Sequence, residues 1–128
     1  MAFFRQKLNV EQFPASIRAK WCLPLLDEGY VPFPKRLVRC LDNVLPQPLG
    51  LPHLRVILAV EDFKRDGQMR LPSIQFLAHL AGRKEKEFGA RLKDLKKEGL
   101  VITKGTEEAI DVSFTPLFEK AVALTDET

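Results

Sequence analysis

Ser73 to Val101 reads SIQFLAHLAGRKEKEFGARLKDLKKEGLV. Pro72 and Ser73 open a helix that runs to Leu80 or Ala81, Gly82 turns the chain, and Lys84 to Glu98 forms a second helix. Gly99 stands where a left-handed residue ends that helix. Two short helices about a glycine are the core of a helix-turn-helix, so the faces of the second helix decide what the unit does.

At about 100° per residue, Phe88, Leu92 and Leu95 share one face, which is the core. Lys86, Ala90, Lys93 and Lys97 lie nearly opposite, with Gly89 and Lys96 on one shoulder. Glu87, Asp94 and Glu98 occupy the other shoulder together with Arg91. The charges are therefore sorted. One reading is a lysine stripe that follows phosphates, with Lys84 at the helix start and small Gly89 and Ala90 allowing close approach. The plainer reading is a solvated face steadied by pairs such as Glu87–Arg91. No Arg, Asn or Gln lies on the outward stripe, and lysine offers poorer bidentate base readout than those residues. The pattern suits phosphate contact better than base reading.

Outward from this unit, LVITK (100–104) and AIDVSFT (109–115) read as strands joined by GTEE (105–108), a hairpin. Ile110, Val112 and Phe114 alternate with Asp111, Ser113 and Thr115, so one face of that strand is buried. Thr106, Glu107 and Glu108 form the tip. A wing that enters the minor groove usually carries Arg or Lys, because the groove is strongly negative; two glutamates there disfavour tight duplex binding. Thr115-Pro116 opens a final helix, PLFEKAVAL, whose Leu117, Phe118 and Val122 need a surface to cover.

Upstream, Leu54 to Arg65 is apolar on most sides and reads as the central helix. RDGQ (65–68) is a turn, and Met69–Leu71 reads as a short strand. Pro34 opens the helix PKRLVRCLDNVL, with Leu37, Val38, Leu41 and Leu45 on its face. Residues 1–28 form an N-terminal arm with a short helix from Pro14 to Cys22. Its Phe3, Phe4, Leu8, Val10, Phe13, Ile17 and Trp21 demand burial, by packing or by oligomerisation. Residues 29–128 make the main domain. The succession gives a mainly α fold with a small β-hairpin: a winged helix-turn-helix with an N-terminal extension and a C-terminal helix.

Composition bounds the rest. The chain has 128 residues, one domain by length, and 45% of them are hydrophobic. No apolar run approaches the roughly 18 residues that span a bilayer, and the N-terminus has no signal-peptide pattern, so a cytoplasmic protein away from membranes is expected. Net charge is +3 but unevenly placed: residues 51–104 hold twelve Lys/Arg against seven Asp/Glu, and residues 105–128 one against six. The basic middle attracts phosphate and the acidic end does not. Cys22 and Cys40 form no metal-ligand spacing and read as reduced thiols. His53 and His79 read as core-edge residues. No phosphate loop or nucleophile elbow appears, so no catalytic residue, metal or cofactor is expected.

EGYVPFPKRLVRCL (28–41) resembles the entry segment of DnaD-type primosomal proteins and of phage replication initiators that share their winged-helix N-terminal domain. LPHLRVILAVEDFKR (51–65) is similar to that family's long helix after a Leu-rich loop, and residues 71–101 to its helix-turn-helix. IDVSFTPLFEKAVAL (110–124) is similar to the strand and helix after its wing. The resemblance spans about residues 28–124. Here Arg83 follows the turn glycine where an apolar residue is common, and Lys84 holds an N-cap position where Ser or Thr is common.

The resemblance implies a DNA-replication accessory module, one that self-associates as a homodimer or larger and helps recruit replication proteins. In that family a separate C-terminal domain contributes much of the DNA binding; this chain is either an excised N-terminal domain or a stand-alone relative. A sequence-specific winged-helix transcription regulator and a pure protein-interaction module are the competing expectations. The residues expected to touch DNA are Lys84, Lys86, Gly89, Ala90, Lys93, Lys96 and Lys97. Those expected to mediate self-association are Phe3, Phe4, Leu8, Phe13, Leu117, Phe118 and Val122.

Overall fold

The computed structural model describes residues 33–65 and 70–126, apart from the side chain of Arg65. The expected N-terminal arm, its Pro14–Cys22 helix, the boundary at 28/29, Cys22 and Met69 lie outside the described residues. Residues 33–126 belong to one compact unit. In order they form α1 (Lys35–Arg39), α2 (Leu41–Val44), α3 (Leu51–Arg65), α4 (Ile74–Leu80), α5 (Glu85–Lys97), β1 (Ile102–Gly105), β2 (Ile110–Ser113) and α6 (Thr115–Asp126). Helices α3, α4 and α5 pack on one another, the hairpin follows, and α6 packs on α1 and α2. This is a winged helix-turn-helix with a C-terminal helix.

Helix α3 is central. Gly50 O accepts from the N–H groups of His53 and Leu54, so the helix starts at Leu51, three residues before the apolar pattern suggests. Pro52 fits this first turn because its missing N–H has no intrahelical partner there in any case. Val56, Ile57, Ala59 and Val60 are buried, and with Leu77, Phe88, Leu92, Leu95, Val112, Phe114 and Leu117 they form the core. Burying a Leu- or Phe-sized side chain contributes roughly 1.5–3 kcal/mol, so this cluster supplies the drive to fold. Phe63 and Phe76 meet edge-to-face at 5.8 Å between ring centroids, joining α3 to α4.

The single helix expected after Pro34 is two. The chain breaks at Cys40 (φ −114°, ψ 17°), which ends α1 and starts α2. Leu37, Cys40 and Val44, at i, i+3 and i+7, are buried together with Leu45, while Val38 is 55% exposed. Val38 lies about 100° round from Leu37, off the stripe that Cys40 and Val44 continue, so the expected face misplaces it. The Cys40 thiol donates to Arg36 O at 3.3 Å. Arg36 in turn clamps the end of α6, donating to Thr125 Oγ1 at 2.8 Å and Val122 O at 3.2 Å and pairing with Asp126. A guanidinium at a helix C-terminus meets the orphan carbonyls and the negative end of the dipole.

No strand forms at Arg70–Leu71. Ile110 N–H donates to Pro72 O at 2.9 Å, the pairing a third strand would begin with. Pro72 has no N–H to return, so the ladder goes no further. The hairpin itself follows expectation, with Thr103 opposite Val112 and Gly105 opposite Ile110. Gly105 sits at φ 95°, and a Cβ there would lie 2.3 Å from Ala109 O, so the turn requires glycine. Its tip is tied down: Ile74 N–H, at the start of α4, donates to Glu107 O at 2.9 Å.

Candidate nucleic-acid interface

Helix α4 is held at its start by Ser73, whose Oγ accepts from Phe76 N–H at 3.0 Å. Gly82 (φ 69°) then reverses the chain, with Gly82 N–H on His79 O and Arg83 N–H on Ala78 O. These bonds use backbone only, which explains why exposed Arg83 can stand in a place usually apolar. Lys84 is the N-cap of α5 and makes no side-chain cap bond. At the other end Leu100 N–H reaches back to Leu95 O and Leu100 is buried, a closed helix terminus with Gly99 at φ 71°.

The faces of α5 are as the periodicity sorts them. Phe88 (1% exposed), Leu92 and Leu95 are in the core. Lys84, Lys86, Ala90, Lys93, Lys96 and Lys97 are exposed, and Gly89 is half-buried. Along the axis, Lys86 and Lys93 stand about 10 Å apart and Lys93 and Lys97 about 6 Å apart, at 1.5 Å rise per residue. A Cβ at Gly89 would meet nothing within 4 Å. The domain's own packing therefore does not need glycine there, although glycine inside a helix costs about 1 kcal/mol relative to alanine.

On the shoulder beside the core Arg91 turns to Asp94 and not to Glu87, which is exposed. Arg91 pairs with Asp94 at 3.3 Å, and Asp94 accepts from His53 Nε2 at 2.9 Å. His53 is 2% exposed, deeper than the core-edge position expected of it. Its Nδ1 accepts from Gly50 N–H at 3.0 Å, which leaves Nε2 as the donor to Asp94. One imidazole thus fixes the start of α3 and the flank of α5. Residues 53 and 94 are too far apart in the chain for any spacing rule to link them. His79 is exposed, on α4.

This link gives a measurable stability signature. The hydrogen bond from His53, with the Arg91 and Lys97 charges adding to it, holds the Asp94 carboxyl below its ordinary range against an opposing desolvation. A lowered carboxyl contributes stability above its unfolded value, about 3.9, and loses it as pH falls through the lower folded value. Urea titrations of Asp94→Asn should show a deficit at neutral pH that closes below about pH 4. His53→Leu should lower stability at neutral pH, because Gly50 N–H loses its partner and Asp94 loses one of two. Equal stability of His53→Leu and wild type would show that the imidazole is dispensable.

The residues expected for self-association divide. Phe3, Phe4, Leu8 and Phe13 lie outside the described residues. Leu117 is fully buried in the domain's own core and Phe118 is half-buried against it, so neither is spare apolar surface. Val122 is 47% exposed and Leu124 39%. What α6 offers a partner is therefore Val122 and Leu124. Leu117 shares the buried face of α6 with Ala121, four residues on, whereas Val122 lies about 140° round the helix.

Glu107 and Glu108 are exposed at the wing tip. Among the described residues no group of three His, Cys, Asp or Glu side chains could hold a metal ion, and no helix is long and apolar enough to cross a membrane. A scan against family models finds no match to the chain, and a search of curated proteins finds none either.

Proposed function

We propose that this chain is a cytoplasmic DNA-replication accessory module of the DnaD-like or phage-initiator type, which self-associates and binds DNA weakly and largely without regard to sequence. The observation that carries the reading is the exposed row Lys86, Lys93, Lys96 and Lys97 on the outward face of α5, the second helix of the helix-turn-helix. Cations on a helix of this kind neutralise phosphates and release counterions. The open space over Gly89 lets a backbone come close. The same face lacks the Arg, Asn or Gln side chains that read base edges in pairs of bonds, which sets the reading apart from that of a sequence-specific regulator.

The acidic wing tip favours a second reading, a module that binds only protein. Fluorescence anisotropy with two duplexes of unrelated sequence separates the readings. With all four lysines on phosphates, affinity should fall about 150-fold between 50 and 200 mM salt, from a slope of about −0.9 per contact. The two duplexes should bind alike. A strong preference for one duplex would assign a regulator, and no binding at low salt would assign the protein-only module. Light scattering tests self-association separately: a monomer at high micromolar concentration removes that part of the proposal.

A further inference from the structure

Residues of α3, of the segment Arg70–Pro72, of α4 and of β2 line a cleft of about 210 Å³. Its floor is apolar: Val60, Leu77 and Val112 are buried, and Phe63 is half-buried. Leu71 lines the same cleft and is 51% exposed, so the cleft opens to solvent beside it. An apolar cavity of about 150 Å³ already admits benzene, and apolar walls give water few partners. The space therefore suits one ring. Phe63, held edge-to-face against Phe76, gives that ring an aromatic wall.

The charged part of the lining is uneven. Lys64 and Arg70 are both exposed, and neither makes a salt bridge among the described residues. Asp111 is the acid of the described lining, and it stands opposite Lys104 in the ladder. Glu61, whose charge Lys64 meets, does not line the cleft. Two cations beside an apolar cleft select an anion with an apolar body. A guanidinium takes a carboxylate through two parallel bonds, and an ammonium adds a point charge.

We propose that this cleft is a binding site for a small aryl-substituted carboxylic acid. The ring enters among Val60, Phe63, Leu77 and Val112, and the carboxylate meets Arg70 and Lys64. Small-molecule sites are generally of this kind, an apolar concavity in which a few polar groups fix orientation. No described residue of the lining belongs to α5, so the inference stands apart from DNA binding.

The test is an NMR titration of the ¹⁵N-labelled full chain with hydrocinnamate, with hydrocinnamyl alcohol and with the corresponding amine. Hydrocinnamate should shift the Leu71, Leu77 and Val112 amides saturably, with a Kd of about 1 mM for a ligand of this size. The alcohol keeps the ring and loses the charge, so it should bind about tenfold more weakly for want of two exposed ion contacts. The amine should bind more weakly still. Lys64→Gln with Arg70→Gln should bring the acid down to the affinity of the alcohol and leave the alcohol unchanged. Both side chains are exposed, so the fold should tolerate the change. Absence of saturable shifts at these amides, equal binding of acid and alcohol, or undiminished acid binding by the folded double variant would overturn the proposal.

Discussion

Changing Lys86 and Lys93 together to glutamate should weaken DNA binding roughly 60-fold at 0.1 M salt and flatten the salt slope by about two. The magnitude follows from counterion release. At a slope of about 0.9 per contact, each phosphate contact is worth about eightfold in affinity at 0.1 M salt relative to 1 M, and two contacts multiply. The new acids add repulsion, so the figure is a lower bound. Both side chains are exposed and opposite the buried Phe88–Leu92–Leu95 face, so the fold should tolerate the change; surface substitutions usually stay within about 0.5 kcal/mol. Thermal unfolding checks that tolerance, and anisotropy at several salt concentrations reads the binding. Unchanged affinity and slope in a folded double variant would mean that the stripe is solvated surface.

The charge sorting of α5 was legible because every determinant is local: a 3.6-residue period, a glycine at each end and one apolar face. The wing was legible for the same reason, from strict alternation between Ile110 and Thr115 and a glycine at the turn. What stayed hidden depends on neighbours. The break at Cys40 lies within a run that reads as one helix. Leu117 and Val122 lie about 140° apart on a helical wheel, and the buried side of α6 is that of Leu117 and Ala121. The His53–Asp94 bond joins positions 41 residues apart. The missing third strand did carry a local signal, since Pro72 has no N–H with which to continue a ladder.

Reversing the charge of the wing tip should have the opposite effect on DNA. Glu107→Lys with Glu108→Lys should raise affinity for duplex DNA, by up to about 60-fold at 0.1 M salt if both new lysines reach phosphates. Both side chains are exposed, while the backbone around them is held by Glu107 O accepting from Ile74 N–H and by the Thr106–Ala109 pair. Neither bond involves a glutamate side chain, so the tip keeps its place when the charge changes. A winged helix that docks with its second helix in the major groove brings the wing close to the neighbouring backbone, where acids repel phosphate and lysines attract it. The gain should shrink as salt rises, because exposed charges are screened beyond about 10 Å at 0.1 M. If the wing instead docks on a basic protein surface, the same change should weaken that association. The measurement is an anisotropy titration of wild type and double variant at low and moderate salt. Equal binding even at low salt would place the wing far from DNA and exclude the usual docking geometry, in which case the lysines of α5 meet phosphates without the groove.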